Sequence, residues 1–138
     1  MRGMEAIEAL ARYFRVNVGD GEDRIEVLVD EMLPVTCFCR GDWLYFMGTI
    51  SEVQPSDLEK IKRMLQWTLV RITEKSDPLA YNPQEKTLYL FRKKLLSQIF
   101  NDNIFREAES FVENLTFWRE AFLYTGIASS GLMYVSRF

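Results

Sequence analysis

The chain of 138 residues contains no histidine, which removes the commonest general acid–base of enzymes and the commonest metal ligand. Cysteine is nearly as scarce. Its two copies, Cys37 and Cys39, lie two apart in a run that reads as a strand, so both thiols project to one face. That spacing suits neither an ordinary disulfide nor a complete zinc site, whose missing ligands would have to be carboxylates. The chain therefore reads as a reduced, cytoplasmic protein without metal or cofactor. No glycine-rich loop opens a helix: Gly19-Asp20-Gly21 leads into a strand, the wrong context for holding phosphate. No apolar run approaches the roughly 18 residues of a membrane span. Glu5 and Glu8 interrupt the N-terminus, which does not read as a signal peptide. Long cationic runs are missing too. The net charge is −3 and Arg92-Lys93-Lys94, the one basic cluster, reads as a solvated strand end, so nucleic acid is not an expected partner. Asp30-Glu31 and Glu107/Glu109 read as solvated acidic pairs, and no nucleophile with a base is evident, so the chain does not read as an enzyme.

What is present is ordinary globular composition with many rings. Apolar residues make up 48% and charged ones 27%, with ten Phe, six Tyr and three Trp. One domain of this size buries a core without disulfides. Residues 4–15 predict a helix, with Ile7, Leu10, Ala11 and Phe14 at helical spacing. Ile25, Val27 and Val29 then alternate with Arg24, Glu26 and Leu28, a strand pattern. Leu33 to Cys39 and Trp43 to Met47, joined by the turn Arg40-Gly41-Asp42, predict a hairpin. Its second strand is apolar on both faces, so both faces need cover. Pro55-Ser56-Asp57-Leu58-Glu59 predicts a helix start, with Ser56 capping and Glu59 completing a capping box. That helix should run to about Glu74 and stop before Asp77-Pro78. Leu79–Tyr81 and Thr87–Phe91 flank a five-residue loop as a second hairpin. From about Asp102 to Leu123, Ile104, Ala108, Phe111, Leu115, Trp118 and Phe122 form the stripe of a last helix, which also holds the glycosylation-like triplet Asn114-Leu115-Thr116. The order α-β-β-β-α-β-β-α, with short β-to-β links, predicts an α+β fold: a twisted antiparallel sheet packed by helices. Residues 1–123 read as one domain and 124–138 as an extension whose structure the pattern does not decide.

The middle helix carries more apolar surface than one core needs. Leu58, Ile61, Met64, Leu65, Leu69 and Ile72 form one arc, while Trp67 and Val70 sit among charges opposite. Trp67 is either a core residue of an irregular helix or part of an interface. Burying one large side chain contributes roughly 1.5–3 kcal/mol, and a symmetric dimer along this helix would recover that twice. The interface reading places Met64, Trp67, Thr68, Val70 and Arg71 in a homodimer seam. The first helix has a similarly wide arc, which either packs on the core or borders a groove for an extended peptide.

Five passages carry a family resemblance. They are Met4–Phe14; Ile25-Glu26-Val27-Leu28-Val29-Asp30 followed by Leu33-Pro34-Val35-Thr36; Asp42-Trp43-Leu44-Tyr45-Phe46-Met47-Gly48; the hairpin Tyr81 to Lys93; and Phe111-Val112-Glu113-Asn114-Leu115-Thr116-Phe117-Trp118-Arg119-Glu120. In that order, in an acidic chain of this length, they resemble the type III secretion chaperones of the Tir-chaperone (CesT) family. The resemblance implies a bacterial, cytoplasmic homodimer whose second helices meet near the two-fold axis. It also implies that the N-terminal segment of one or more secreted effectors wraps the dimer in extended form and is kept export-competent, with the secretion ATPase as downstream partner and no cofactor. Groove candidates follow from location: Leu10 and Phe14 on the first helix, with Val27, Val29, Val35 and Cys37 on an adjoining sheet face. The runner-up readings are a YbjN-like regulatory or interaction protein of similar fold, and a small ligand-binding domain or enzyme.

Overall fold

The two periodicities resolve into three helices around one sheet in the computed structural model, which describes residues 1–19, 22–70 and 77–128, with side chains described to Gln66 in the second helix and to Leu123 in the third. The elements are α1 (Gly3–Phe14), β1 (Arg24–Val29), β2 (Leu33–Arg40), β3 (Trp43–Glu52), α2 (Leu58–Val70), β4 (Leu79–Asn82), β5 (Thr87–Leu95) and α3 (Ile104–Ala128). The five strands are all antiparallel in the spatial order β1-β2-β3-β5-β4. This is the α+β architecture read from the pattern, with β3 longer by five residues than its apolar run Trp43–Met47.

Alternation decides which side chains enter the core. Ile25, Val27, Val35, Cys37, Leu44, Phe46, Leu88 and Leu90 point to one face and are buried there beneath α1 and α3. The helices answer with Ile7 and Leu10 from α1 and Ile104, Phe111 and Leu115 from α3. Phe46 and Phe111 meet across this layer with ring centroids 5.4 Å apart. Gly48 lets α3 press onto β3, because a Cβ there would stand 2.5 Å from Leu115 Cδ2. The turns follow local chemistry. Asp30 and Glu31 both take left-handed φ (52° and 59°), and the Met32 N–H donates to the Val29 carbonyl at 3.0 Å, a mirror-image hairpin turn. In the turn between β2 and β3 the one positive φ, 60°, falls on Gly41.

Three local expectations are corrected. The expected Ser56/Glu59 box does not form. Pro55 starts a 3₁₀ turn over Pro55–Asp57, and it is the Asp57 carboxylate that accepts the Gln54 N–H, at 2.8 Å. Glu59 lies on the surface within 3.4 Å of Lys62. The stripe expected to pack α2 on its own core is only partly used: Met64 is enclosed, but Leu58 and Leu65 are exposed. The reason is that α2 packs on α3 rather than across the sheet, and one neighbouring helix covers a narrow strip. Lys60 Nζ lies 4.5 Å from the Phe122 ring across that contact. Leu69 belongs to α2 by backbone, with its side chain outside the described residues, as Ile72 is entirely. Lastly, α3 continues past the expected end at Leu123 to Ala128.

Candidate functional site

On the side of the sheet turned away from α1 and α3, a set of apolar residues has no covering element among the described residues. Each strand that sends Leu44, Phe46 or Leu90 inward sends its alternate residues outward. The outward set includes Phe38 on β2, Trp43, Tyr45 and Met47 on β3, and Phe91 on β5, all half-buried. Register aligns them: Phe38 is opposite Tyr45, Tyr45 opposite Lys93, and Met47 opposite Phe91. Phe38 stacks on Tyr45 at 4.8 Å, and Tyr45 meets Phe91 edge-on at 6.2 Å. Lys93 Nζ sits 3.9 Å from the Trp43 ring centroid, a cation over an aromatic face. The rings thus shelter one another, and their outer surfaces remain available. An antiparallel sheet that faces water ordinarily alternates apolar-in with polar-out. This one does not.

A second aromatic group lies between α1 and α3. Tyr13 stacks on Phe105 at 5.7 Å and meets Phe14 edge-on at 4.9 Å. Tyr13 and Phe105 are 38% and 42% exposed, so the stack is a surface feature rather than core. Partial burial, then the carboxylates of Glu109 and Glu113, hold the Tyr13 hydroxyl above its ordinary pKa.

The interior behind the sheet is pinned by a charge cluster around Arg92. Its side chain is 5% exposed, because period two puts residue 92 on the same face as Leu88 and Leu90. All five guanidinium N–H groups are engaged. Nε and Nη2 donate to the two carboxylate oxygens of Asp77 at 2.7 and 2.8 Å. Nη2 also donates to Ser110 Oγ at 3.1 Å, and Nη1 to the Glu107 carbonyl at 2.9 Å and carboxylate at 3.1 Å. Asn114 Nδ2 completes Asp77 at 2.9 Å. A cleft of about 730 Å³ opens beside this cluster, lined by residues including Tyr45, Phe91, Lys93 and Arg106. Its carboxylates are committed to Arg92, so the cleft presents no free acid–base pair. The reading of Arg92 as part of a solvated strand end is therefore corrected, and the signal that locates it was the strand alternation itself.

Cys37 is buried and Cys39 half-buried, both as free thiols on the helix side of β2. Burial is the main force raising both thiols, Cys39 to about 11 with Asp23 adding to it, and Cys37 further. Cys39 Sγ lies 3.5 Å from the Gly3 carbonyl, where α1 comes close to β2.

Against these surfaces the residues singled out in the sequence fall into three groups. Leu10, Val27, Val35 and Cys37 are core residues, none more than 9% exposed, so they do not line a groove. Their parity is the reason: they occupy the strand positions and helix stripe that α1 and the sheet bury against each other. Phe14 and Val29 are packed against that core but stay partly accessible. Met64 is enclosed within its own chain and offers no surface to a second copy. Trp67, Thr68 and Val70 lie on α2 by backbone with side chains outside the described residues, and Arg71 lies outside them altogether. The exposed apolar residues of α2 that the structure does describe are Leu58 and Leu65. Sequence reasoning anticipated that β3 needs cover on both sides, yet it did not name Phe38, Trp43, Tyr45, Met47 and Phe91 as the uncovered set. Among the described residues no helix is long and apolar enough to cross a membrane, and no cluster of metal-ligating side chains occurs.

No family model matches the chain, and no curated protein matches it in sequence. Solved structures do match in backbone. A chain of the HopA1–SchA chaperone–effector complex superposes with a TM-score of 0.65 at 13% identity, over 85% of this chain and 92% of that one. The Yersinia pestis type III secretion chaperone SycH, solved with a stable fragment of YscM2, gives 0.62 at 10% identity, over 85% and 99%. A chain of the heterodimeric ExoU–SpcU complex from the type III secretion system of Pseudomonas aeruginosa gives 0.62 at 14% identity, over 83% and 94%. The sheet order, the helices on one face and these superpositions lead to one conclusion: the chain has the α+β fold of the type III secretion chaperone complexes.

Proposed function

We propose that this protein is a type III secretion chaperone that binds the N-terminal segment of one or more effector proteins and keeps it export-competent, acting as a non-enzymatic, cytoplasmic homodimer. The observation that carries the reading is the uncovered aromatic face of the sheet, in a chain whose fold matches proteins solved with their effectors bound. A disordered client segment must be ordered to bind, and that entropy is offset only by burying much apolar surface. Phe38, Trp43, Tyr45, Met47 and Phe91 supply such surface already rigid, since each ring is fixed by its neighbours. They replace the groove positions of opposite parity that the core consumes.

For the homodimer, the support is the apolar surface left on α2. Leu58 and Leu65 are exposed there, and the indole of Trp67 belongs to the same helix. Downstream docking on the secretion ATPase belongs to the same reading. The test is co-expression of the full chain with an N-terminal fragment of the protein encoded by the adjacent gene. A stable complex with two copies of this chain per fragment is expected by light scattering. Trp67→Glu and Leu65→Asp should shift the free protein towards monomer. A free protein that is monomeric at all concentrations, together with no capture of that fragment, would overturn the reading.

A further inference from the structure

We propose that the exposed patch at Tyr13, Phe105, Glu109 and Glu113, between the end of α1 and the start of α3, is a subsite for a partner segment in which an apolar side chain lies next to arginine or lysine. This deepens the reading of the protein as a binder of extended segments and rests on it. It concerns a place distinct from the outer sheet face.

The ring pair comes first. Tyr13 and Phe105 stack at 5.7 Å on the surface, and Phe14 braces Tyr13 from the side at 4.9 Å. The pair is seated on a close helix contact made by small residues: Ala6 and Ala9 of α1, on the Tyr13 side of that helix, are fully buried. Two large rings are therefore held at the mouth of a seam that is otherwise filled. A rigid exposed aromatic pair offers an apolar side chain a flat contact and offers a guanidinium or ammonium a π-face.

Charge then selects between partners. Glu109 and Glu113 lie one and two turns along α3 from Phe105, both exposed. Neither has a basic side chain within ion-pair distance among the described residues. Their spacing of four and eight residues from Phe105 puts them near its face of α3, and their charges help to raise the Tyr13 hydroxyl above its ordinary pKa after partial burial. Acidic segments are repelled from such a rim, and basic ones are drawn to it and can then stack. The outer sheet face has the opposite bias, since Lys93 stands over its rings. One client segment can thus be oriented by charge across the two surfaces.

The experiment uses the full chain and a short fluorescein-labelled peptide of alternating leucine and arginine, with a leucine–glutamate peptide as control. The arginine peptide should bind, and the control should not. Glu109→Gln with Glu113→Gln, and separately Phe105→Ala, should each weaken binding by about tenfold. Glu5→Gln with Glu8→Gln alters net charge equally on another part of α1 and should leave affinity within about twofold. Unchanged melting of each variant shows that the fold survives. Equal losses from both acidic pairs, or an unaffected Phe105→Ala variant, would overturn the proposal by reducing binding to bulk charge. Capture of the client fragment despite such a result would leave the chaperone reading intact, while peptide binding without client capture would remove that reading and keep the subsite.

Discussion

Replacing Arg92 by methionine should nearly unfold this protein, although the two side chains are similar in length and most of the arginine stem is already in an apolar setting. The guanidinium is 5% exposed and Asp77 6% exposed, with paired contacts of 2.7 and 2.8 Å. Removing one partner of a buried pair leaves the other charged and dry, at a cost of about 3–5 kcal/mol. Among the described residues Asp77 would keep only the side-chain amide of Asn114, and the Glu107 carboxylate would lose its shortest cationic contact, retaining Lys94 at 3.8 Å. Domains of this kind have a total stability of about 5–15 kcal/mol, so the loss is a large share of it. Urea unfolding followed by tryptophan fluorescence gives the number directly, with an unchanged slope showing that the denatured state is not involved. Arg92→Met combined with Asp77→Asn should recover at least about 1 kcal/mol, because the stranded charge is gone. A loss under about 1 kcal/mol for Arg92→Met alone would refute the reasoning, since that is the scale of exposed pairs.

Gly48→Ala should destabilise by about 1–3 kcal/mol through overpacking against Leu115, and adding Leu115→Ala should make the double variant more stable than the sum of the single effects, measured as a double-mutant cycle in urea. Additivity within about 0.5 kcal/mol would mean that the two positions do not press on each other. Glu31→Gly should stabilise by about 1 kcal/mol, since an L-residue there holds a left-handed φ of 59°; a lowered melting temperature would contradict this. At pH 8 a Cys39 pKa of about 11 leaves about one thiolate in a thousand, and Cys37 has fewer still. Iodoacetamide should therefore label the native protein slowly at Cys39 and at Cys37 only after denaturant is added, and rapid native labelling of Cys37 would count against the buried placement.

Much of the fold was legible because its signals are local. Period two at Ile25 and Val27 and the stripe from Ile104 to Phe122 are set by which face meets the core, and the structure buries those residues, with Val29 partly accessible at the strand end. The Arg40-Gly41-Asp42 turn is read from glycine chemistry alone. The site was harder to see for a physical reason. A half-buried ring such as Tyr45 and a fully buried one such as Phe46 give the same apolar signature, and only packing by α3 tells them apart. The groove expectation accordingly fell on positions of β1 and β2 that face the helices, whereas the outward rings lie on β2, β3 and β5. Arg92 shows the converse. Its charge suggested solvent, whereas its place in the alternation required the interior, and its partner Asp77 had been read merely as the stop of a helix. Met64 failed as an interface residue because a wheel shows directions around one helix and says nothing about which neighbour fills them.

The Arg92 cluster also bears on the order of assembly. It joins residues 77, 92, 107, 110 and 114, so its contacts span separations of 15 to 37 positions. The N-terminal helix packs on β1 and β2 over comparable separations, Gly3 meeting Cys39 across 36 positions, but the first residue reaches further: the Met1 amino group donates to the Leu96 carbonyl across 95 positions. Closing short loops before long ones is entropically cheaper. We therefore expect β4, β5 and α3 to cohere early and the Met1 contact to close last, with pulse-labelled hydrogen exchange showing the first-turn amides of α1 protected after those of β5. Simultaneous protection of both would contradict it. While that end of α1 is undocked, its seat beside Cys39 and Leu96 is an opening of the protein's own making, closed only once the first residue is in place.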